Sequence, residues 1–186
     1  MVDTGAAIFV HPTADVEDGA QIGAGTKVWH LAHVRGSAKV GGGCVLGRNV
    51  YIDAEVVVGD LVKIQNNVSV YQGVTLEDEV FVGPCVVFTN DLRPRAQNPG
   101  WTITPTLVRH GASIGANATL VCGIEVGAYA MIAAGSVVTK DVAPHQLVAG
   151  NPARPMGWVD ERGEVISRQA EPPASIVERV RAGKGH

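Results

Sequence analysis

Stepping through the chain in sixes from Val10 meets an apolar residue fourteen times in succession, through Val16, Ile22, Val28 and Val34 and on to Phe88. The beat resumes at Val108 and continues through Ile114, Leu120, Val126 and Ile132 to Val138. Four residues after each of these sits a second residue that is small or aliphatic, such as Ala32, Cys44, Val68, Ala118 or Ser136. An amphipathic helix repeats near 3.6 residues and a half-buried strand every two, so a period of six belongs to neither. It suits a solenoid in which each hexad is one short strand and one corner, with three hexads closing a triangular coil. The first apolar residue fills the interior, and the one four later is small because the corner is tight. Each coil then completes the core of its neighbour.

Composition agrees with short strands and tight turns. Among 186 residues there are 23 glycines but only nine aromatics, which leaves Val, Ile and Ala as packing stock. Residues 1–9 read as a lead-in, 10–143 as the solenoid with an excursion at 94–107, and 144–186 as an exit segment and tail. Within the tail, DERGE reads as a tight turn and IVERVRAG as about two helical turns, too short to be stable undocked. A net charge of −3 offers no basic face of the kind nucleic acid requires. No apolar run approaches the roughly 20 residues of a membrane helix, and no charged-then-apolar leader opens the chain. Cys44, Cys85 and Cys122 lack any CxxC spacing, the pattern of a reduced cytoplasmic protein.

The places where the repeat fails point to function. Residues 94–107, PRAQNPGWTITPTL, shift the register by 14 residues, and an excursion of that size is more often functional than accidental. If it leaves and rejoins at one corner, every hexad falls on one of three walls. The wall with hexads beginning at 22, 40, 58, 76, 108 and 126 has Gly or Glu at five of its six following positions. The irregular residues Trp29, Arg35, Gln65, Tyr71 and Thr89 all fall on the other two, so the site is expected there. On one of these walls Asn90 stacks over Gln72, with Lys140 two coils higher; the other carries a ladder of His30, Arg48 and Asn66. The amides of Gln65, Asn66, Asn67 and Gln72 would face outward from the prism. For Asn66 and Asn67, simple turn residues tolerant of unusual backbone angles are an equal alternative.

Several segments resemble one family. AAGSVVTKDVAPHQLVAGNPARPMGW (133–158), IGANATLVCG (114–123), KIQNNVSVYQGVTLED (63–78), FTND (88–91) and VWHLAHV (28–34) carry the likeness. They resemble the hexapeptide-repeat acyltransferases that use acetyl-CoA, and among these the nucleotide-sugar 3-N-acetyltransferases such as those acting on UDP-2-acetamido-3-amino-2,3-dideoxyglucuronate. The resemblance implies an all-β, left-handed parallel β-helix, an exception to the usual right-handed crossover. It also implies a homotrimer with sites between subunits, a nucleotide-sugar acceptor, acetyl-CoA as donor, no metal, and a place in polysaccharide biosynthesis.

The resemblance further suggests roles. Asn90, Gln72 and His30 are the catalytic candidates. Asn66, Gln65, His33, Arg93, Arg95 and Trp101 are the candidates for binding the acceptor, and Lys140, Arg154, Asn117, Ala133 and Ala134 for coenzyme A. Arg forks match carboxylate and phosphate oxygens, but ordinary surface charge is the alternative for Arg93 and Arg95, loop anchoring for Trp101, and a tail-fixing ion pair for Arg154. Some relatives place a histidine base where this chain has Gln72, which cannot act as one. A base-light transfer to an amine is therefore expected, with Asn90 holding the amine, a backbone N–H receiving the oxyanion and the departing thiolate taking the proton. A sugar hydroxyl would want a base, which His30, His33 or His110 would have to supply in an O-acetyltransferase. The γ-class carbonic anhydrases share the prism but need a close histidine pair on a late coil, and residues 111–144 contain none.

Overall fold

The structure is a computed structural model that describes residues 5–183, so the outer ends of the expected lead-in and tail, 1–4 and 184–186, lie outside the described residues. Two-residue strands alternate with corners and stack into three parallel sheets. The first wall begins at Phe9–Val10 and climbs through Lys27–Val28, Val45–Leu46, Lys63–Ile64, Phe81–Val82, Ser113–Ile114 and Met131–Ile132 to Gln146–Ala149. The second runs from Asp15–Val16 to Val137–Val138, and the third from Gln21–Ile22 to Glu125–Val126. Adjacent rungs are offset by 18 residues, as in Lys27↔Val45 and Ser69↔Tyr51. Across the excursion the offset becomes 32, with Val82 opposite Ile114. The chain is a left-handed parallel β-helix, nearly all β.

The hexad residues form one internal column. Val28, Leu46, Ile64, Val82, Ile114 and Ile132 on the first wall are each at most 1% exposed, and the partners four residues on, from Ala32 to Ser136, are buried beside them. Each such burial is worth roughly 1.5–3 kcal/mol. Phe88 is the largest fully buried side chain. Cys44 is core as well; its thiol donates to Gly59 O at 3.1 Å, and burial pushes its pKa up. Corners turn through left-handed residues three places after each interior aliphatic: Leu31, Asn49, Asn67, Asn117 and Tyr129 all have φ between 55° and 61°. Asn67 is thus a turn residue, as the plainer alternative supposed.

The excursion departs after Val87–Phe88 on the second wall and returns at Thr106–Val108 on the third, so it leaves and rejoins at one corner. Thr104 N–H donates to Asn90 O at 2.9 Å and Thr106 N–H to Gly73 O at 3.0 Å. Gly73 has φ +94°, and a Cβ there would collide with Ile103 Cγ2, so only glycine admits this seat.

At the other end, Arg154–Val159 turns back antiparallel on Gln146–Ala149, and Val165–Ser167 follows it. This covers a sheet edge that would otherwise present open backbone groups. DERGE is the expected turn, with Arg162 and Glu164 N–H both donating to Asp160 Oδ1. Helix Ala174–Gly183 docks through Ile176, 1% exposed, and an Arg179–Glu161 ion pair at 3.2 Å.

Candidate functional site

Three edges join the walls, and the candidate residues divide between two of them. The second edge, where the second wall turns into the third, carries Gln72, Asn90, Cys122 and Lys140 on successive rungs, each two residues after an interior aliphatic. Asn90 Nδ2 donates to the backbone carbonyl of Gln72 at 3.2 Å. That bond orients the amide and leaves Asn90 Oδ1 without a partner among the described residues. The Gln72 side chain is already occupied: its Nε2 donates to Glu55 Oε2 at 2.7 Å, and its backbone N–H to Asp53 Oδ2 at 3.2 Å. Gln72 therefore supports Asn90 from below.

Two coils above Asn90, Lys140 and Arg154 line one cleft of about 280 Å³ with Thr139, Asp141 and Gln146. Two coils correspond to about 10 Å along the axis. Arg154 NH1 donates only to the neighbouring Ala153 O, so the guanidinium has free donors toward the cleft. It is not the tail-fixing ion pair, a part that Arg179 plays instead. Beside the same edge the excursion forms a second cleft of about 250 Å³ lined by Asp91, Arg93, Asn98 and Thr102. Arg93 N–H donates to Asp91 Oδ1. Arg95 NH1 is turned onto Pro94 O at 2.8 Å, and Trp101 stands 47% exposed at the tip.

The first edge, between the first and second walls, carries His30, Arg48, Asn66, Asn117 and Ala134. Asn66 Oδ1 accepts the Arg48 backbone N–H at 2.9 Å. Asn117 is a left-handed corner residue whose N–H donates to Pro84 O, and Ala133 N–H donates to Val148 O. His30 stacks on His11 three coils below the level of Asn90 and around a different corner, so one chain does not bring the two together. A wall about one hexad wide, roughly 15–20 Å at ~3.3 Å per residue, separates the two edges.

The face of the second wall holds a network that hexad periodicity did not reveal. Glu17 Oε1 pairs with His33 Nε2 at 2.9 Å and Arg35 Nε at 2.7 Å. Arg35 NH1 donates to Tyr51 OH at 3.3 Å, and Tyr51 OH donates to Asp53 Oδ1 at 2.9 Å. Asp53 then receives the Gln72 N–H, so the ladder ends beneath Asn90. The Gly36 N–H, then His33 and Arg35, hold the Glu17 carboxyl down at about 2. His33 is thereby committed to this ladder. The signal was present at a step of 18: Asp15, His33, Tyr51 and Glu17, Arg35, Asp53 place complementary groups on consecutive coils. The third wall is not featureless either, since Arg109 bridges Glu77 and Glu125, both at 2.9 Å. At its far edge His110 Nε2 meets Tyr129 OH at 3.0 Å. No group of three or more His, Cys, Asp or Glu among the described residues could hold a metal, and no helix there is long and apolar enough to cross a membrane.

Residues 37–72 and 111–140 match a family described as the hexapeptide repeat of succinyl-transferase. Over 159 residues the chain is 42% identical to the dTDP-3-amino-3,6-dideoxy-alpha-D-galactopyranose 3-N-acetyltransferase of Aneurinibacillus thermoaerophilus, covering 86% of this chain and 82% of that one. It is 34% identical over 137 residues to serine acetyltransferase 4 of Arabidopsis thaliana, covering 73% of this chain and 34% of the relative. The chain thus spans about a third of the serine acetyltransferase it matches. A solved hexapeptide-repeat acetyltransferase of Vibrio cholerae complexed with acetyl coenzyme A is similar at TM-score 0.50 and 29% identity, covering 73% of this chain and 72% of that chain.

Proposed function

The chain belongs to the hexapeptide-repeat acyltransferases, and from that premise we propose that it moves an acetyl group from acetyl-CoA to the amino group of a nucleotide-linked 3-amino sugar. The observation that carries this reading is the second edge. An oriented amide with a free carbonyl oxygen, Asn90, lies two rungs below a cleft bearing Lys140 and Arg154. Coenzyme A is long and anionic at one end. Its phosphates suit the two cations, and its thioester arm then runs down the edge toward Asn90. The relative named for a dTDP-3-amino sugar, matched over most of both chains, supports an amine acceptor.

In this reading Asn90 Oδ1 accepts one N–H of the neutral sugar amine and turns the nitrogen lone pair toward the thioester carbonyl. The C–N bond forms, the carbonyl oxygen becomes an oxyanion held by a backbone N–H, and the C–S bond breaks. The surplus amine proton ends on the departing thiolate, which balances the step without a histidine. Because the candidates occupy two edges a wall apart, a complete site takes one edge from each of two copies. That supports a closed homotrimer, in which the first edge of one copy meets the second edge of the next. Arg93 and Trp101 on the excursion would border such a groove.

The likeness to a serine acetyltransferase supports a second reading, O-acetylation of a hydroxyl with a histidine base. One screen separates the two: free thiol is measured after mixing the protein with acetyl-CoA and 3-amino nucleotide sugars, or with serine and hydroxyl sugars. Thiol release with the amines alone is expected. Turnover of hydroxyl acceptors alone would replace the first reading with the second.

A further inference from the structure

Corners on the second edge share one device. Among the described residues, the backbone N–H two places past each interior aliphatic there meets no carbonyl of the next rung. A shielded N–H left without a partner costs stability. On three rungs a side chain from the rung below takes it. Gly36 N–H donates to Glu17 Oε2 at 2.7 Å, Gln72 N–H to Asp53 Oδ2 at 3.2 Å, and Cys122 N–H to Thr89 Oγ1 at 2.9 Å. Each acceptor stands one residue past the interior aliphatic of its own rung.

The middle instance lies on the path to Asn90. The Asp53 side chain is 19% exposed, with Arg35 NH1 standing 3.8 Å from Oδ1. Oδ1 accepts Tyr51 OH at 2.9 Å and the Ala54 N–H at 2.8 Å, while Oδ2 accepts the Gln72 N–H. Three donors and a guanidinium thus fix the carboxylate in direction as well as place. Gln72 is followed by Gly73 at φ +94°, so no Cβ at residue 73 limits the swing of the Gln72 carbonyl. That carbonyl is the acceptor for Asn90 Nδ2. Its direction depends on how firmly the corner is pinned, by Asp53 through the backbone N–H and by Glu55 through the side-chain amide.

We propose that Asp53 is a positioning residue for the transfer. It fixes the Gln72 corner, whose carbonyl fixes the Asn90 amide with Oδ1 turned out toward the amine. The inference rests on the reading in which Asn90 orients the acceptor amine. Asp53 touches neither substrate in this arrangement and acts only through Gln72 and Asn90. Displacing a reacting group by about 1 Å costs on the order of 10²-fold in rate. Because Glu55 still holds the Gln72 side chain, loss of Asp53 should displace Asn90 less than that.

The test is a double-mutant cycle in steady-state turnover, comparing wild type, Asp53→Ala, Asn90→Ala and the two combined. Asp53→Ala should lower kcat about tenfold and leave the KM of each substrate within about twofold. In the Asn90→Ala background the same replacement should cost less than about twofold, because no amide remains to be oriented. Losses that multiply in the double variant, or a loss confined to KM, overturn the proposal. Should the alanine variant fail to fold, Asp53→Asn, which keeps one acceptor oxygen for the Gln72 N–H, carries the same cycle. A second readout needs no turnover: nuclear magnetic resonance of protein carrying isotopically labelled asparagine. The Asn90 side-chain amide, assigned by its absence from Asn90→Ala, should exchange with solvent several times faster in Asp53→Ala. Unchanged exchange overturns the proposal. Faster exchange in a protein that acetylates no amine upholds the Asp53 contact and removes the transfer reading.

Discussion

Asn90 and Gln72 are joined by a side-chain-to-backbone bond of 3.2 Å between adjacent coils of the solenoid. The bond uses the amide's donor and leaves its acceptor outward. Asn90 is thereby held ready to orient an amine, on a rung that is itself tied through Asp53 and Tyr51 to Arg35 and Glu17 below.

Asn90→Ala should lower kcat on the order of 10²-fold, the scale of losing orientation at a reacting centre. The melting temperature should stay within a degree or two, because the interior column is untouched. Near-normal turnover would remove Asn90 from the chemistry.

Lys140→Ala and Arg154→Ala should each raise the KM for acetyl-CoA roughly tenfold, equivalent to ~1.4 kcal/mol. The KM for the acceptor should hardly change. A shift in the acceptor KM instead would place the phosphates of coenzyme A elsewhere.

Gly73→Ala forces a side chain into φ +94° against Ile103. The strain is of order 1–3 kcal/mol and falls where the excursion is pinned by Thr104 and Thr106. Trypsin should then cut after Arg95 faster than in the wild type; an unchanged cleavage rate would mean that the excursion is held by other contacts.

Glu17 has its carboxyl held at about 2, against an ordinary 4.5, by the Gly36 N–H, His33 and Arg35. A depressed carboxyl pKa stabilises the fold above the unfolded value, and that stability is lost as pH falls through the folded one. Stability should therefore drop between about pH 4.5 and 2, and Glu17→Gln should flatten that part of a melting-temperature profile. Identical acid limbs in the two proteins would show that other carboxylates dominate.

How far the sequence could be read follows from distance along the chain. The interior column was legible because each hexad repeats one local rule: a large aliphatic inward, a small residue at the corner. The return of the excursion to its own corner did not follow from the beat, since its 14 residues are no multiple of six; only the strand Thr106–Val108 on the third wall shows it. The partners of individual side chains were not legible from hexads alone. That the Gln72 amide meets Glu55, on the coil below, is one such partner. The pairing of the His33 ring nitrogen with Glu17 is another.

By itself, then, the amino-acid order determined a three-walled prism and the six-residue beat of its rungs, because a period of six leaves a chain no other way to bury its aliphatics. Tertiary structure alone decided which polar groups remain free. Partners lie about 18 residues apart and meet only when coils stack, so stacking satisfied Gln72, His33 and Arg35 and left Asn90 Oδ1 and the Arg48 guanidinium open.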